Sequence, residues 1–156
     1  GITTLVEKSM GNIKKMGTSP VQGVLKLGQA IPHPGLWVID NRAQGPDPFN
    51  LTGLAMQGAV VTAFSSGRGS PVGNAVMPTL KLTGNPETFR KLGSITDFNA
   101  GVVIEGATIP ETGKALYELL LEIAGGRETK SEINENSAYI LPREAAQKKR
   151  EQCPLS

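Results

Sequence analysis

Apolar positions along the chain come in short runs that alternate between two spacings. Val6, Met10, Ile13 and Met16 recur at helical intervals, with Thr4 and Glu7 in a capping-box arrangement at the start and Gly17 as a stop. The runs Gly23–Gly28 (GVLKLG), Leu36–Asp40 (LWVID) and Val60–Ser66 (VVTAFSS) are short and apolar, and the last is β-branched, which predicts strands. Met77–Gly84 (MPTLKLTG) and Gly101–Gly106 (GVVIEG) read the same way. Phe49–Ala59 predicts a helix with Leu51, Leu54, Ala55 and Gly58 on its inner face. Asn85 as N-cap and Pro86 at the first helical position open another. The strongest helical period lies in PETGKALYELLLEIAGG: Pro110 opens it, Leu116, Leu119, Leu120 and Ile123 form its inner stripe, and Gly125–Gly126 closes it. SAYIL (Ser137–Leu141) predicts an edge strand, and the polar, charged stretch from Arg143 onward predicts a mobile tail.

Short strands alternating with amphipathic helices predict an α/β fold, a layered Rossmann-like sandwich with a mostly parallel sheet flanked by helices. Residues 1–142 are expected to form this domain and residues 143–156 the tail. Ligands of such sheets gather at the carboxyl ends of the strands. That rule marks Asp40, the Ser65–Gly73 loop, the Thr83–Asn85 turn and the Glu105–Gly106 end as a candidate functional edge.

Composition narrows the function classes. The 156 residues suffice for one domain with a real core and are too few for two ordinary ones. No run approaches the roughly eighteen unbroken apolar residues of a membrane span. The first residues lack the pattern of a signal peptide. The chain opens on Gly1 and passes straight into a patterned segment, so a piece of a longer chain is expected. A net charge of +2, without aromatics interleaved among basic residues, argues against nucleic acid as a partner. The single cysteine, Cys153, allows neither an internal disulfide nor a cysteine metal cluster, and a cytoplasmic location is the simplest expectation.

The stretch AFSSGRGSPVG carries the most chemistry. Gly67, Gly69 and Gly73 miss the dinucleotide fingerprint by one residue, Pro71 interrupts the helix start, and no Lys-Ser/Thr pair follows to make a Walker loop. What remains is a strand-end turn in which backbone N–H groups can converge and Arg68 can offer a fork of donors to a carboxylate. A plain glycine turn with a solvated arginine fits the same spacing. Asp97 and Asn99, in TDFNAG, could bind hydroxyls or a metal, or could form an Asx-turn. Glu7 and Lys8 could serve as general base and electrostatic partner, although capping also accounts for Glu7. His33, between two prolines, reads as an exposed loop residue, and no second histidine supports a metal site built wholly within this chain.

Several segments, in order, resemble the C-terminal part of the altronate/galactarate dehydratase family of sugar-acid dehydratases. They are GITTLVEKSMGNIKKMGTSPVQGVL, PGLWVID, FSSGRGSPVGNAVMPTLKLTGN, DFNAGVVIEG and LLLEIAGGRETKSEINE, covering about residues 1–135. The chain departs from the family pattern in SSGRG for TTGRG, in AGGRET for A-S-G-K, and in its charged tail. The resemblance implies a hydro-lyase that removes water from an altronate- or galactarate-like acid to give a 2-keto-3-deoxy acid, with divalent iron or a similar metal (manganese or magnesium). It also implies upstream domains as partners, with a homo-oligomer as a further expectation. The chain on its own is expected to bind no metal and to be inactive. The resemblance implies that these motifs matter, and within them Arg68, Glu7 and Lys8 are the candidate catalytic residues. Ser65, Ser66, Gly67, Gly69, Ser70, Asn85, Asp97 and Asn99 are the candidate substrate-binding residues. A related branch cleaves sulfite from sulfolactate, and a non-catalytic structural or oligomerisation role is the remaining alternative.

Overall fold

Every apolar run that becomes a strand pairs in parallel with its neighbour. A computed structural model of the chain describes residues 10–41 and 45–141. In chain order these form α1 (Met10–Lys14), β1 (Val21–Lys26), β2 (Leu36–Asp40), α2 (Asp47–Met56), β3 (Thr62–Ser65), β4 (Thr79–Thr83), α3 (Pro86–Leu92) and β5 (Phe98–Asn99). A 3₁₀ turn (Ala100–Val103), α4 (Ile109–Ala124) and α5 (Lys130–Ile133) follow. The strands divide into two parallel sheets, β1–β2 and β3–β4–β5. The fold is α/β with parallel strands flanked by helices, as the alternation predicts.

β4 is the central strand of the second sheet, with Ser65 of β3 opposite Leu82 and Asn99 of β5 opposite Thr83. Its residues Thr79, Leu80, Lys81 and Thr83 are all buried, because a central parallel strand is covered on both faces. Leu80 joins Leu25, Leu51, Met77 and Ile123 in the buried apolar core. α2 joins the end of β1 to the segments around Asn74 and Ile140. Its C-cap residue Gln57 donates to the carbonyls of Lys26 (3.2 Å) and Gln29 (2.8 Å), just past β1. On the same helix, Thr52 Oγ1 accepts from Asn74 Nδ2 (3.3 Å) and from the N–H of Ile140 (3.2 Å).

The start of α3 follows the expected chemistry. Asn85 caps α3, with Pro86 in the first turn. α4 begins at Ile109, and Thr108 and Glu111 cap it reciprocally. Along α4, Thr112 and Ile123 are buried and Leu116, Leu119 and Leu120 are half-buried, the stripe read from the sequence. On α2, Leu51, Thr52 and Gly53 are buried, while Gly58 lies beyond the helix at φ +93°.

Two expectations are corrected. Gly101–Gly106 is not a strand: pairing stops at Asn99, whose Oδ1 accepts the N–H of Gly101 (3.0 Å) and turns the chain into the 3₁₀ segment. A local side-chain bond of this kind offers the backbone an alternative to the ladder. Gly101 also lies against Pro86, where a Cβ would come within 2.6 Å of the proline ring. Ser137–Leu141 forms no edge strand and contributes only a single bridge, Ala138 to Asn74. The cap at Thr4, the candidate residues Glu7 and Lys8, and the tail 143–156 lie outside the described residues. No described helix is long and apolar enough to cross a membrane.

Candidate functional site

The carboxyl edge of β3–β4–β5 carries three consecutive turns: the loop after Ser65, the Thr83–Asn85 turn and the turn after Asn99. The loop is anchored on both sides. On its N-terminal side, the N–H of Ser66 donates to the carbonyl of Leu82 (3.0 Å), and Thr88 Oγ1 donates to the carbonyl of Gly67 (2.8 Å). Gly69 sits at φ +80°, a conformation that calls for glycine, and a Cβ there would lie 2.5 Å from Leu92 Cδ1, so that side chain would have to shift to admit one. On the C-terminal side, Ser70 Oγ accepts the N–H of Val72 (3.4 Å), Lys81 Nζ reaches the carbonyl of Pro71 (3.5 Å), and Gly73 O accepts the N–H of Ala138 (3.2 Å). Gly73 packs so closely on Ser131 and the carbonyl of Asn136 that a side chain would overlap them.

Between these anchors Arg68 is exposed. Among the described residues, its guanidinium has no hydrogen bond or ion pair, and the N–H groups of Gly67, Arg68, Gly69 and Ser70 have no acceptor. The loop therefore presents a group of unspent donors beside one cation, an arrangement suited to an anion.

The structure gathers Ser65, Ser66, Gly67, Arg68, Gly69, Ser70, Asn85 and Asn99 at this edge. The two asparagines arrive with duties of their own. Asn85 Oδ1 accepts the N–H groups of Glu87 (3.0 Å) and Thr88 (3.4 Å), leaving its amide N–H₂ as the unspent end. Asn99 Oδ1 is taken by Gly101. Asp97 stands apart from the edge, level with Lys81 inside β4. Its Oδ2 accepts the backbone N–H of Lys81 and its Oδ1 that of Lys130, both at 2.7 Å. Asp40 ends β2 in the other sheet. His33 lies in the exposed turn before β2, its ring edge-on to Trp37 and its Nδ1 3.0 Å from the carbonyl of Pro34.

One residue that sequence reasoning missed is Lys81, only 3 % exposed on the central strand. Its Nζ donates to Ser131 Oγ at 2.7 Å. Burial holds its pKa below the ordinary lysine value, the nearby Asp97 carboxylate opposes that shift and the Lys130 ammonium adds to it. The signal was the alternation in TLKLT, which puts Lys81 on the same face as Thr79 and Thr83 in a strand flanked by two others.

Among the described residues, no three histidine, cysteine, aspartate or glutamate side chains converge. Asp97 is committed to backbone N–H groups, and Glu87 and Glu105 are both paired with Arg90. These groups do not fit a divalent metal ion. A small cavity of about 110 Å³, lined by Asp97, Ile123, Arg127 and Lys130 among others, receives no residue from the loop.

A model of the family described as D-galactarate/altronate dehydratase, C-terminal, matches residues 1–147. The chain belongs to this family. It is similar to altronate dehydratase of Escherichia coli K12, 38 % identical over 135 residues, covering 86 % of this chain and 27 % of the relative. It is likewise similar to subunit beta of (2R)-sulfolactate sulfo-lyase from Chromohalobacter salexigens, 35 % identical over 145 residues, or 92 % of this chain and 37 % of the relative. Galactarate dehydratase (L-threo-forming) of Escherichia coli K12 is 33 % identical over 128 residues, 81 % of this chain and 24 % of the relative. The chain thus spans 24–37 % of the length of these relatives. In this chain the SSGRG loop and the DFNAG turn lie at, or next to, one sheet edge.

Proposed function

We propose that this chain is the C-terminal domain of a lyase that dehydrates a sugar acid of the altronate or galactarate kind, and that its SSGRG loop binds a substrate carboxylate. The observation that carries the reading is the exposed Arg68 among four unspent N–H groups at the carboxyl edge of a parallel sheet, in a chain of the dehydratase family. Removing the proton next to a carboxylate builds negative charge on that carboxylate as an enediolate. Donors fixed in advance around it stabilise the charge more in the transition state than in the ground state. Ser65, Ser66, Ser70 and the amides of Asn85 and Asn99 are then within the same edge to recognise hydroxyls. Asp97 serves this reading indirectly, by holding β4 and α5 together.

Divalent iron, in this reading, has its ligands elsewhere in the full protein, while Glu7 and Lys8 are proposed as general base and electrostatic partner.

A second reading is favoured by the sulfo-lyase subunit, which matches 92 % of the chain. Sulfolactate, like the sugar acids, carries a carboxylate next to a hydroxylated carbon, so the same loop would serve it. The deciding experiment supplies the full protein with ferrous iron and, separately, altronate, galactarate and sulfolactate. Release of a keto acid from one of the first two supports dehydration. Sulfite from sulfolactate alone would replace it with the second reading. Arg68→Ala should lower kcat/KM by about 10- to 100-fold, the range for losing a hydrogen bond to a charged group. An unchanged value rejects the carboxylate role.

A further inference from the structure

We propose that Lys81 is a positioning residue for the SSGRG loop: its buried ammonium clamps the loop's C-terminal leg onto α5 and so sets where Arg68 stands. The proposal rests on the carboxylate-binding reading for its consequence, though not for its geometry.

The clamp is built from contacts far apart in sequence. Lys81 Nζ joins Ser131 Oγ (2.7 Å) and the carbonyl of Pro71 (3.5 Å). Its backbone N–H donates to Asp97 Oδ2 (2.7 Å), and its carbonyl accepts the N–H of Asp97 (2.8 Å). Asp97 Oδ1 holds the first residue of α5 through the N–H of Lys130. Lys130 in turn sends its Nζ to the carbonyls of Gly93 and Thr96. The charged groups acting on Lys81 are Asp97 and Lys130, and each is already committed.

Ser131 itself is buried, and Gly73 is seated directly on it. The leg from Pro71 to Gly73 therefore reaches the fold through the Lys81 ammonium, the close contact of Gly73 on Ser131, and the bond from the N–H of Ala138 to the carbonyl of Gly73 (3.2 Å). The opposite leg is held separately, by Thr88 and Leu92 of α3. A loop fixed at both legs keeps the backbone of Arg68 in one place, which is part of the supporting shell that a preorganised anion site needs. A buried lysine is a costly way to fill a strand interior, and an apolar side chain would pack there without an unpaired charge to satisfy.

Trypsin cleavage after Arg68 in the full protein tests the clamp, with cleavage after Arg90 on α3 as the internal reference. Lys81→Met, close in volume and uncharged, should be cut at Arg68 at least about tenfold faster than wild type, with Arg90 cut at the wild-type rate. Ser131→Ala should act in the same direction, and it decides the matter if Lys81→Met does not fold. Wild-type cleavage at Arg68 in both variants overturns the proposal. So does equal acceleration at both sites, which would show general destabilisation. Calorimetric binding of galactarate, altronate and sulfolactate supplies the second readout. Lys81→Met should raise Kd about tenfold with the stoichiometry unchanged, whereas a merely structural role lowers the stoichiometry and leaves Kd alone. If wild type binds none of the three acids, the carboxylate reading falls, and cleavage alone decides the clamp.

Discussion

Asp97 and Lys81 are joined twice through the backbone of Lys81: Asp97 Oδ2 accepts its N–H at 2.7 Å, and the N–H of Asp97 donates to its carbonyl at 2.8 Å. With Oδ1 on the N–H of Lys130, one carboxylate closes the gap between β4 and α5. Asp97→Asn should destabilise the protein by about 1.5–3 kcal/mol, because the amide turns a donor toward an N–H and loses the charge that strengthened the other bond. Urea unfolding reads this as a lower midpoint at an unchanged slope. A midpoint equal to that of wild type would show that the bracket contributes nothing.

Lys81 gives a pH dependence of opposite sign to the usual ion pair. Its folded pKa lies below its ordinary value of 10.5, chiefly because burial penalises the ammonium. In the window between the lowered value and 10.5 the unfolded chain binds more protons than the folded one. Stability therefore rises with pH across that window, and the penalty is fully present below it. The stability difference between wild type and Lys81→Met should accordingly shift in favour of wild type as pH approaches 10.5. A pH-independent difference would mean that Lys81 titrates alike in both states.

Asn85 separates capping from recognition. Its Oδ1 receives two N–H groups at the start of α3, so Asn85→Ala should cost about 1 kcal/mol. Asn85→Ser keeps the cap and removes the amide N–H₂. Near-wild-type thermal stability with weaker substrate binding in Asn85→Ser would assign the amide to recognition. Full binding by that variant would leave Asn85 a cap and nothing more.

Locally encoded features were legible. Asn85 followed by Pro86, and Gly125–Gly126 after the α4 stripe, mark helix ends through contacts within a few residues. The strands followed from the short apolar runs, and the edge rule placed the SSGRG loop; among the described residues β4 and β5 are the one parallel pair with a helix between its strands. The misses are of two physical kinds. Gly101–Gly106 looks like a strand by hydrophobicity, yet a bond from Asn99, two residues back, ends the pairing. Lys81 and Asp97 depend on partners 50 and 33 residues away, Ser131 and Lys130, so nothing in their neighbourhood distinguishes a clamp from a surface charge or a ligand-binding carboxylate.

Gly69 concentrates two constraints that a pair of substitutions can separate. At φ +80° an L-residue is disfavoured, and a Cβ would meet Leu92 Cδ1 at 2.5 Å. Gly69→Ala should therefore cost roughly 1–2 kcal/mol for conformation, plus a steric contribution from Leu92. Leu92→Ala alone loses half-buried apolar surface of α3 and is destabilising in its own right. Placed together, the two changes should cost less than their sum, because the shortened side chain leaves room for the new methyl. The residual cost in the double variant measures backbone strain, and the shortfall from additivity measures the contact. Strict additivity in chemical denaturation would show that Leu92 moves aside freely and that Gly69 is required for its conformation alone. In that case α3 would still hold the first leg of the loop through Thr88 and the carbonyl of Gly67, and Thr88→Val, rather than Leu92→Ala, would be the change that loosens Arg68.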